Sequence, residues 1–200
     1  MEEWKRAWKV LEQCPLRDQA LIRIIYEGGL RAAEPGVMKV SYLKRINEGR
    51  VYVWRGKGSK DGYVSVTKKT AAILKKWVRK LGSEAKKDPS RGALHPDSPL
   101  FPGYKGAGIH PITARRVWQH VAREARLPQE LHHTHVLKHS RCQHLLEHAE
   151  RAGEHPSMMH GVIAEIVGHA RARTTIEHYI KTSGAATKKA LAWTAEQEED

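Results

Sequence analysis

Apolar residues recur at helical spacing along most of the chain. In residues 1–13, Trp4 and Leu11 lie among charged side chains, which predicts an amphipathic helix. Pro15 can open a second helix, and a glycine pair that begins at Gly28 ends it. Further helices are predicted from residue 67 or 70 to 82, at about 113–126, at about 135–148, at 162–167, from 174 onward, and at 188–197.

Strand propensity is concentrated in one region. Residues 50–54 and 63–66 are rich in Val and Tyr, and the segment GKGSKDG between them predicts a hairpin turn. A further short strand near residues 43–46 would make the sheet three-stranded. The pattern predicts a mainly α fold with a small antiparallel β-sheet (α+β), and it argues against the alternating βαβ order of a doubly wound fold.

Three connecting segments have patterns of their own. The apolar spacing of Val37, Val40 and Leu43 predicts the buried side of a short helix. Residues 83–110 are rich in Gly, Pro, Lys and Asp, and we expect a loop that an apolar patch at 99–102 anchors to the body. The polar stretch from 150 to 160 is expected to be a surface insertion.

Charge sets this chain apart from an average globular protein. Its 200 residues, of which 40% are hydrophobic, suit one domain, or one domain and a small appendage. The formal net charge is +13, from 35 Lys and Arg against 22 Asp and Glu. A surface so positive favours a polyanion, with nucleic acid as the first candidate. A basic pI without functional meaning is the alternative that charge alone leaves open.

Cysteine content and hydropathy indicate the compartment. The two cysteines, Cys14 and Cys142, lie in different contexts, so neither a disulfide framework nor a cysteine-based zinc site is expected. No apolar run is long enough to cross a membrane. We therefore expect a soluble, cytoplasmic protein in a reducing environment.

Metal chemistry is not expected. Carboxylates do not cluster at metal spacing, which argues against two-metal hydrolysis. The pairs His135/His139 and His144/His148 have the i, i+4 spacing that can hold zinc, but neither pair encloses the glutamate of the metalloprotease pattern.

Five short motifs in four segments carry residues suited to handling a phosphate. GLRAAEP contains Arg31 and Glu34, RGKGSKDGYVSV contains Lys57, THVLKHS contains His135 and Lys138, and VGHARARTTIEHY contains His169 and Tyr179, ten residues apart. In this order, and on these predicted elements, the motifs resemble those of the tyrosine recombinases, the phage integrase family. The resemblance covers roughly residues 16–181 and implies a fold like the catalytic domain of that family.

The resemblance implies a role for each matching residue. Tyr179 would attack the scissile phosphorus and form a 3′-phosphotyrosyl bond, and Lys57 would protonate the departing 5′-oxygen. Arg31 would bind the non-bridging oxygens, His135 would relay protons at the tyrosine, and His169 would donate a hydrogen bond to the phosphate. Glu34 and Arg141 would support the site, and DNA would also contact Lys60, Arg171 and Arg173. Because the covalent ester retains the energy of the broken bond, neither a metal nor another cofactor is expected.

Lys138 departs from the family pattern, which has arginine at this position. Lysine keeps the charge but is a point donor instead of a planar fork. The loss of a bidentate contact could cost about 2–4 kcal/mol of transition-state stabilisation. Arg141, one helical turn further on, could substitute for the missing arginine. A weakly active or catalytically silent DNA-binding relative is the alternative.

The same motifs would also serve a type IB topoisomerase. Such an enzyme shares the chemistry but relaxes supercoils without exchanging partners. Taken singly, the residues also have structural interpretations. Arg31 could cap a helix or pair with Glu34, Lys57 and Lys60 could be solvated hairpin lysines, and His169 could pack in a turn.

The resemblance also implies a domain organisation. Residues 1–183 are expected to form the catalytic domain, and 184–200 a terminal helix with an acidic tail. The separate helical domain that usually precedes the catalytic one in this family, the core-binding domain, is expected to be absent. The expected partner is double-stranded DNA, bound by several copies, as in the tetrameric synapse of the family. The terminal segment could dock on a neighbouring protomer or fold back in cis.

Overall fold

Helices predominate in residues 2–55, 61–88 and 92–153, the part of the chain that the computed structural model describes. The helices and strands, in chain order, are α1 (Glu2–Gln13), α2 (Leu16–Glu27), β1 (Arg50–Val53), β2 (Gly62–Ser65), α3 (Lys68–Lys87), α4 (Pro111–Glu124) and α5 (His135–Arg151). Short 3₁₀ turns lie at Glu34–Val37, Val40–Leu43, Ile46–Glu48, Tyr104–Gly106 and Gln129–Leu131. This architecture confirms the predicted mainly α fold with a small antiparallel sheet.

Helix α2 is the centre of the described core. Four of its branched aliphatic side chains are fully buried, namely Leu21, Ile22, Ile24 and Ile25. A helix that is apolar around much of its circumference must be enclosed by other elements, and α1, α3, α4 and α5 all pack against α2. Pro15 precedes its first residue and Gly28 follows its last, as the sequence predicts. The end of α2, where Arg31 lies, is therefore held on several sides.

Glu27 fixes the start of α3 against the end of α2. Its carboxylate is buried and accepts hydrogen bonds from the Thr67 amide at 2.7 Å and from the Thr67 hydroxyl at 3.0 Å. It also accepts a hydrogen bond from the Thr70 hydroxyl at 2.7 Å. Thr67, not Thr70, is the N-cap, because its side chain accepts from the Thr70 amide. These contacts also hold the hairpin beside α2, since β2 ends shortly before Thr67.

The sheet has two strands in the described part of the chain, β1 and β2, paired antiparallel with Arg50 opposite Ser65. The third strand expected near residues 43–46 is wrong, because this region forms 3₁₀ turns. Leu43 and Ile46 are both buried and lie three residues apart. They belong to two successive 3₁₀ turns, which let both side chains reach the core, whereas a strand would put them on opposite faces.

Two further sequence-based expectations are wrong. Helix α3 continues through Gly82 to Lys87, so the connecting loop is shorter than expected. A glycine inside a helix costs only about 1 kcal/mol relative to alanine, and α3 buries Leu74, Trp77 and Leu81 against the core. Val37 is 44% exposed, and the neighbouring Met38 is buried in its place.

The apolar patch at 99–102 anchors its loop, as expected. Leu100 and Phe101 are fully buried. The Leu100 amide donates to the Met38 carbonyl at 2.8 Å, and the indole N–H of Trp77 donates to the Leu100 carbonyl at 2.8 Å.

The same loop passes very close to the Glu34–Val37 turn. A Cβ atom on Gly108 would lie only 1.6 Å from the Gly36 carbonyl oxygen. Glycine at position 108 is therefore required for this approach.

No helix in the described ranges is both long enough and apolar enough to span a bilayer.

Candidate active site

Arg31 and Glu34 lie just beyond the end of α2. Gly29 adopts a left-handed conformation (φ 59°), and Leu30 is buried, so the chain turns and then emerges at Arg31. The Glu34 carboxylate is buried; it accepts a hydrogen bond from the Arg31 amide at 2.8 Å and lies 3.8 Å from Arg31 Nη1. The side chain of Arg31 is nevertheless 58% exposed. The pairing of Arg31 with Glu34 is thus present, and the guanidinium still faces solvent.

Lys138 lies in the first turn of α5, which packs against α2. The residue is only 8% exposed. Burial is the main cause that lowers the pKa of the Lys138 ammonium to about 8; the charges of Arg55 and Arg31 lower it further, whereas Glu34 raises it. These charges therefore lie close enough to Lys138 to act on it.

Arg55, which acts on Lys138, is a residue that the sequence motifs did not single out. It follows β1, and its backbone N–H donates to Asp61 Oδ1 at 2.7 Å, across the base of the hairpin. Its guanidinium Nη2 donates to the Gly28 carbonyl at 3.5 Å. Burial lowers the pKa of Arg55, as does the Arg31 charge, whereas Glu34 raises it. The signal in the sequence was the arginine directly before the GKG of the hairpin turn.

The cluster of Arg31, Arg55, Lys138 and Glu34 has an excess of positive charge. Arg31 lies 3.8 Å from the buried Glu34 carboxylate, and the Glu34 charge also raises the pKa values of Arg55 and Lys138, so the three cationic side chains are all within electrostatic range of one carboxylate. Glu34 and, at Arg55, Asp61 offset part of this positive charge, and the remainder favours an anion. Two of the cations are guanidinium groups, whose planar forks match the geometry of phosphate oxygens.

His135 is the first residue of α5 and is exposed. Its ring meets that of His139 edge to face, with centroids 4.2 Å apart. Across residues 2–55, 61–88 and 92–153, no three His, Cys, Asp or Glu side chains are grouped so that they could hold a metal ion.

His144 belongs to an aromatic cluster in the core. Its Nδ1 lies 2.6 Å from the Tyr26 hydroxyl, and its ring meets Trp4 edge to face. Burial lowers the pKa of His144, which favours the neutral imidazole. His144 therefore packs α5 against Trp4 and Tyr26.

Arg141 lies at the same aromatic cluster. Its guanidinium carbon is 5.6 Å from the centroid of the Tyr26 ring, and its Nε is buried without a hydrogen-bond partner. Burial raises the pKa of Tyr26 to about 12, and the Arg141 charge opposes this rise. The observed role of Arg141 is a cation–π contact, and its use as a phosphate ligand stays a prediction.

The structure thus brings together Arg31, Glu34 and Lys138 from two distant motifs, and adds Arg55. His135 and Arg141 are the further predicted site residues in the described part of the chain, on α5. The remaining ones lie outside the described residues, namely Lys57, Lys60, His169, Arg171, Arg173 and Tyr179. The same holds for most of the expected insertion at 150–160, for the helices expected at 162–167 and from 174 onward, and for the terminal segment 184–200.

A family model and similar proteins of known name point to the same family. The family model described as "Phage integrase family" matches residues 1–185. Tyrosine recombinase XerC of Chromohalobacter salexigens is 32% identical over 161 residues, which are 80% of this chain and 47% of that protein. The XerC of Xanthomonas axonopodis pv. citri is 32% identical over 183 residues, covering 88% of this chain and 52% of its own length. The chain therefore spans about half the length of these curated relatives.

Solved structures support the fold. The crystal structure of XerA recombinase superposes with a TM-score of 0.69 at 21% identity and covers 96% of this chain and 62% of that one. The post-cleavage complex of XerH recombinase with a palindromic difH substrate gives a TM-score of 0.67 at 20% identity, covering 96% of this chain and 52% of that one.

Proposed function

The chain belongs to the phage integrase family, and we propose that its residues 1–183 form a tyrosine recombinase catalytic domain that breaks and rejoins double-stranded DNA through Tyr179. The observation that carries this proposal is the cationic cluster at the end of α2. Arg31, Arg55 and Lys138 come from three separate segments and all lie close enough to Glu34 to interact with its charge. A site that holds the charge on a phosphodiester needs such an arrangement.

The proposed reaction exchanges one phosphoester for another. The phenolic oxygen of Tyr179 attacks the scissile phosphorus, the bond from phosphorus to the 5′-oxygen breaks, and Lys57 delivers a proton to that oxygen. The product is a 3′-phosphotyrosyl ester with a free 5′-hydroxyl. Attack by a 5′-hydroxyl from another strand reverses the step and releases Tyr179.

Four side chains would act on the phosphate and the attacking tyrosine. The exposed guanidinium of Arg31 would bind the non-bridging oxygens, and Lys138 would add a positive charge behind it. His135, at the start of α5, would move the proton of the attacking tyrosine, and His169 would donate a hydrogen bond to the phosphate.

The partner proposed for this chemistry is duplex DNA. A net charge of +13 supports DNA binding that weakens strongly with salt, and Lys60, Arg171 and Arg173 would add contacts to the backbone. Recombination needs two duplexes, so we propose that several copies act together at the DNA in the cytoplasm. The terminal segment 184–200 would then dock on a neighbouring copy.

Covalent trapping tests the function. The chain is incubated with a pool of nicked duplexes of randomised sequence, in which the short 5′-hydroxyl strand is lost after cleavage. We expect a covalent protein–DNA adduct, resistant to detergent, that disappears in Tyr179→Phe. Tyr104→Phe is the matched control, since Tyr104 is 84% exposed and belongs to none of the site motifs, and it should keep the adduct. Retention of DNA binding without any wild-type adduct would point to a silent DNA-binding relative, and an adduct in Tyr179→Phe would exclude Tyr179 as the nucleophile.

A further inference from the structure

We propose that Arg55 is a phosphate-binding residue of this site and supplies the guanidinium fork that Lys138, at the family's arginine position, lacks. The inference rests on the proposed function and adds a residue that none of the motifs assigns. The inference is based on the position of Arg55 at the start of the hairpin turn, near the end of α2 and the start of α5.

The backbone places Arg55 at the edge of the site. Strand β1 ends at Val53, opposite Gly62, and the Arg55 amide is bonded to the Asp61 carboxylate at 2.7 Å. The two ends of the hairpin turn are therefore held together, and Arg55 lies at one of them. From this anchored position the guanidinium reaches the Gly28 carbonyl at 3.5 Å, which directs it towards the end of α2.

Exposure favours Arg55 over Lys138 as a direct ligand. Lys138 has only 8% of its surface exposed, whereas Arg55 is half-buried and the Arg31 side chain is 58% exposed. A phosphate that arrives from solvent would therefore meet the two guanidinium groups more readily than the buried Lys138 ammonium. Two forks offer four or more N–H donors to the equatorial oxygens, where a lysine offers a point charge.

The two side chains also differ in how firmly they keep their charge. Burial lowers the pKa of Lys138 to about 8, so part of the Lys138 population is neutral in mildly alkaline solution. Burial lowers the pKa of Arg55 as well, but a guanidinium is so strongly basic that it stays protonated in the same solution. Arg55 therefore keeps the site positive where Lys138 does not.

A purely structural role for Arg55 would be to balance the buried charge of Glu34, whose carboxylate raises the Arg55 pKa. That role needs a positive charge but not a fork. Arg55→Lys keeps the charge without the fork and therefore distinguishes the two interpretations. Lys138→Arg, combined with Arg55→Gln, restores a guanidinium at position 138 and distinguishes them in a second way.

The test measures the single-turnover rate of adduct formation on the nicked duplexes. We expect Arg55→Gln to lower the rate by about 10²–10³, and Arg55→Lys to stay at least about tenfold below wild type. Lys138→Arg, introduced into Arg55→Gln, should restore at least about tenfold of the loss. Arg50→Gln, at the opposite end of β1, removes the same charge and is the matched control, with an expected change below about threefold.

Each outcome decides a separate statement. If the wild type forms no adduct, the proposed function fails, and this inference fails with it. If the wild type cleaves and Arg55→Gln cleaves equally fast, only the inference is overturned. Wild-type rates in Arg55→Lys, or no rescue by Lys138→Arg, would likewise overturn it, because Arg55 would then act through charge balance or folding. Should Arg55→Gln fail to fold, as seen by circular dichroism, the comparison of Arg55→Lys with wild type decides alone.

Discussion

Replacing Lys138 with methionine is expected to stabilise the folded chain at neutral pH. Methionine has nearly the same length as lysine but carries no charge, so it removes the cost of a buried ammonium without opening a cavity. Lys138 is 8% exposed, and burial takes its pKa from the ordinary 10.5 to about 8. Glu34 keeps Arg31 and Arg55 as cationic neighbours in the variant.

The magnitude follows from the pKa. Each pKa unit is worth about 1.36 kcal/mol, so the charged lysine costs the folded state on the order of 3 kcal/mol. The unfolded chain binds the proton more tightly, and it therefore holds more protons than the folded chain between about pH 8 and pH 10.5. The cost is fully present below about pH 8 and is lost as the pH rises towards 10.5.

The assay is urea unfolding of wild type and Lys138→Met at about pH 7 and about pH 9.5. At the lower pH the variant should be more stable by about 1–3 kcal/mol, and its advantage should shrink at the higher pH. Lys75→Met, an exposed position in the middle of α3, controls for the general effect of losing a lysine and should show neither change. Equal or lower stability of Lys138→Met at about pH 7, or a gain that does not depend on pH, would refute the reasoning.

Two further predictions concern the frame of the site. Glu27→Ala should lower the free energy of unfolding by about 2–4 kcal/mol, because it leaves the buried Thr70 hydroxyl without its acceptor. Hydrogen exchange at the start of α3 should become faster, and unchanged exchange there would contradict the proposed link between Glu27 and α3. Gly108→Ala should destabilise by more than about 3 kcal/mol, because its Cβ would lie 1.6 Å from the Gly36 carbonyl oxygen. Gly62→Ala, whose Cβ would meet nothing within 4 Å, is its control in the same unfolding assay, and equal stability of both variants would count against the close approach.

Local rules predicted most of the described helices. Apolar spacing and the punctuation by Pro15 and Gly28 predicted α1 and α2 to within a residue or two. These signals act between neighbours in the chain and can therefore be read without the fold. The rules failed at Gly82, where the burial of α3 outweighs the small cost of a glycine.

The expected third strand failed for a similar reason. Leu43 and Ile46 both reach the core, whereas a strand would put residues three apart on opposite faces, and the chain forms 3₁₀ turns here. The requirement comes from the surrounding helices, and a local pattern does not contain it.

The sequence by itself determined the family, the basic charge, and the candidate residues Arg31, Glu34 and Lys138, because these are properties of short motifs and their order. Only the tertiary structure decided that Arg55 joins them, that Arg141 lies against Tyr26, and that Lys138 is buried enough for its pKa to fall to about 8. The physical reason is that desolvation and the interaction between charges depend on distances in space. Those distances are set when α2, α5 and the hairpin pack together, far apart as they are along the chain.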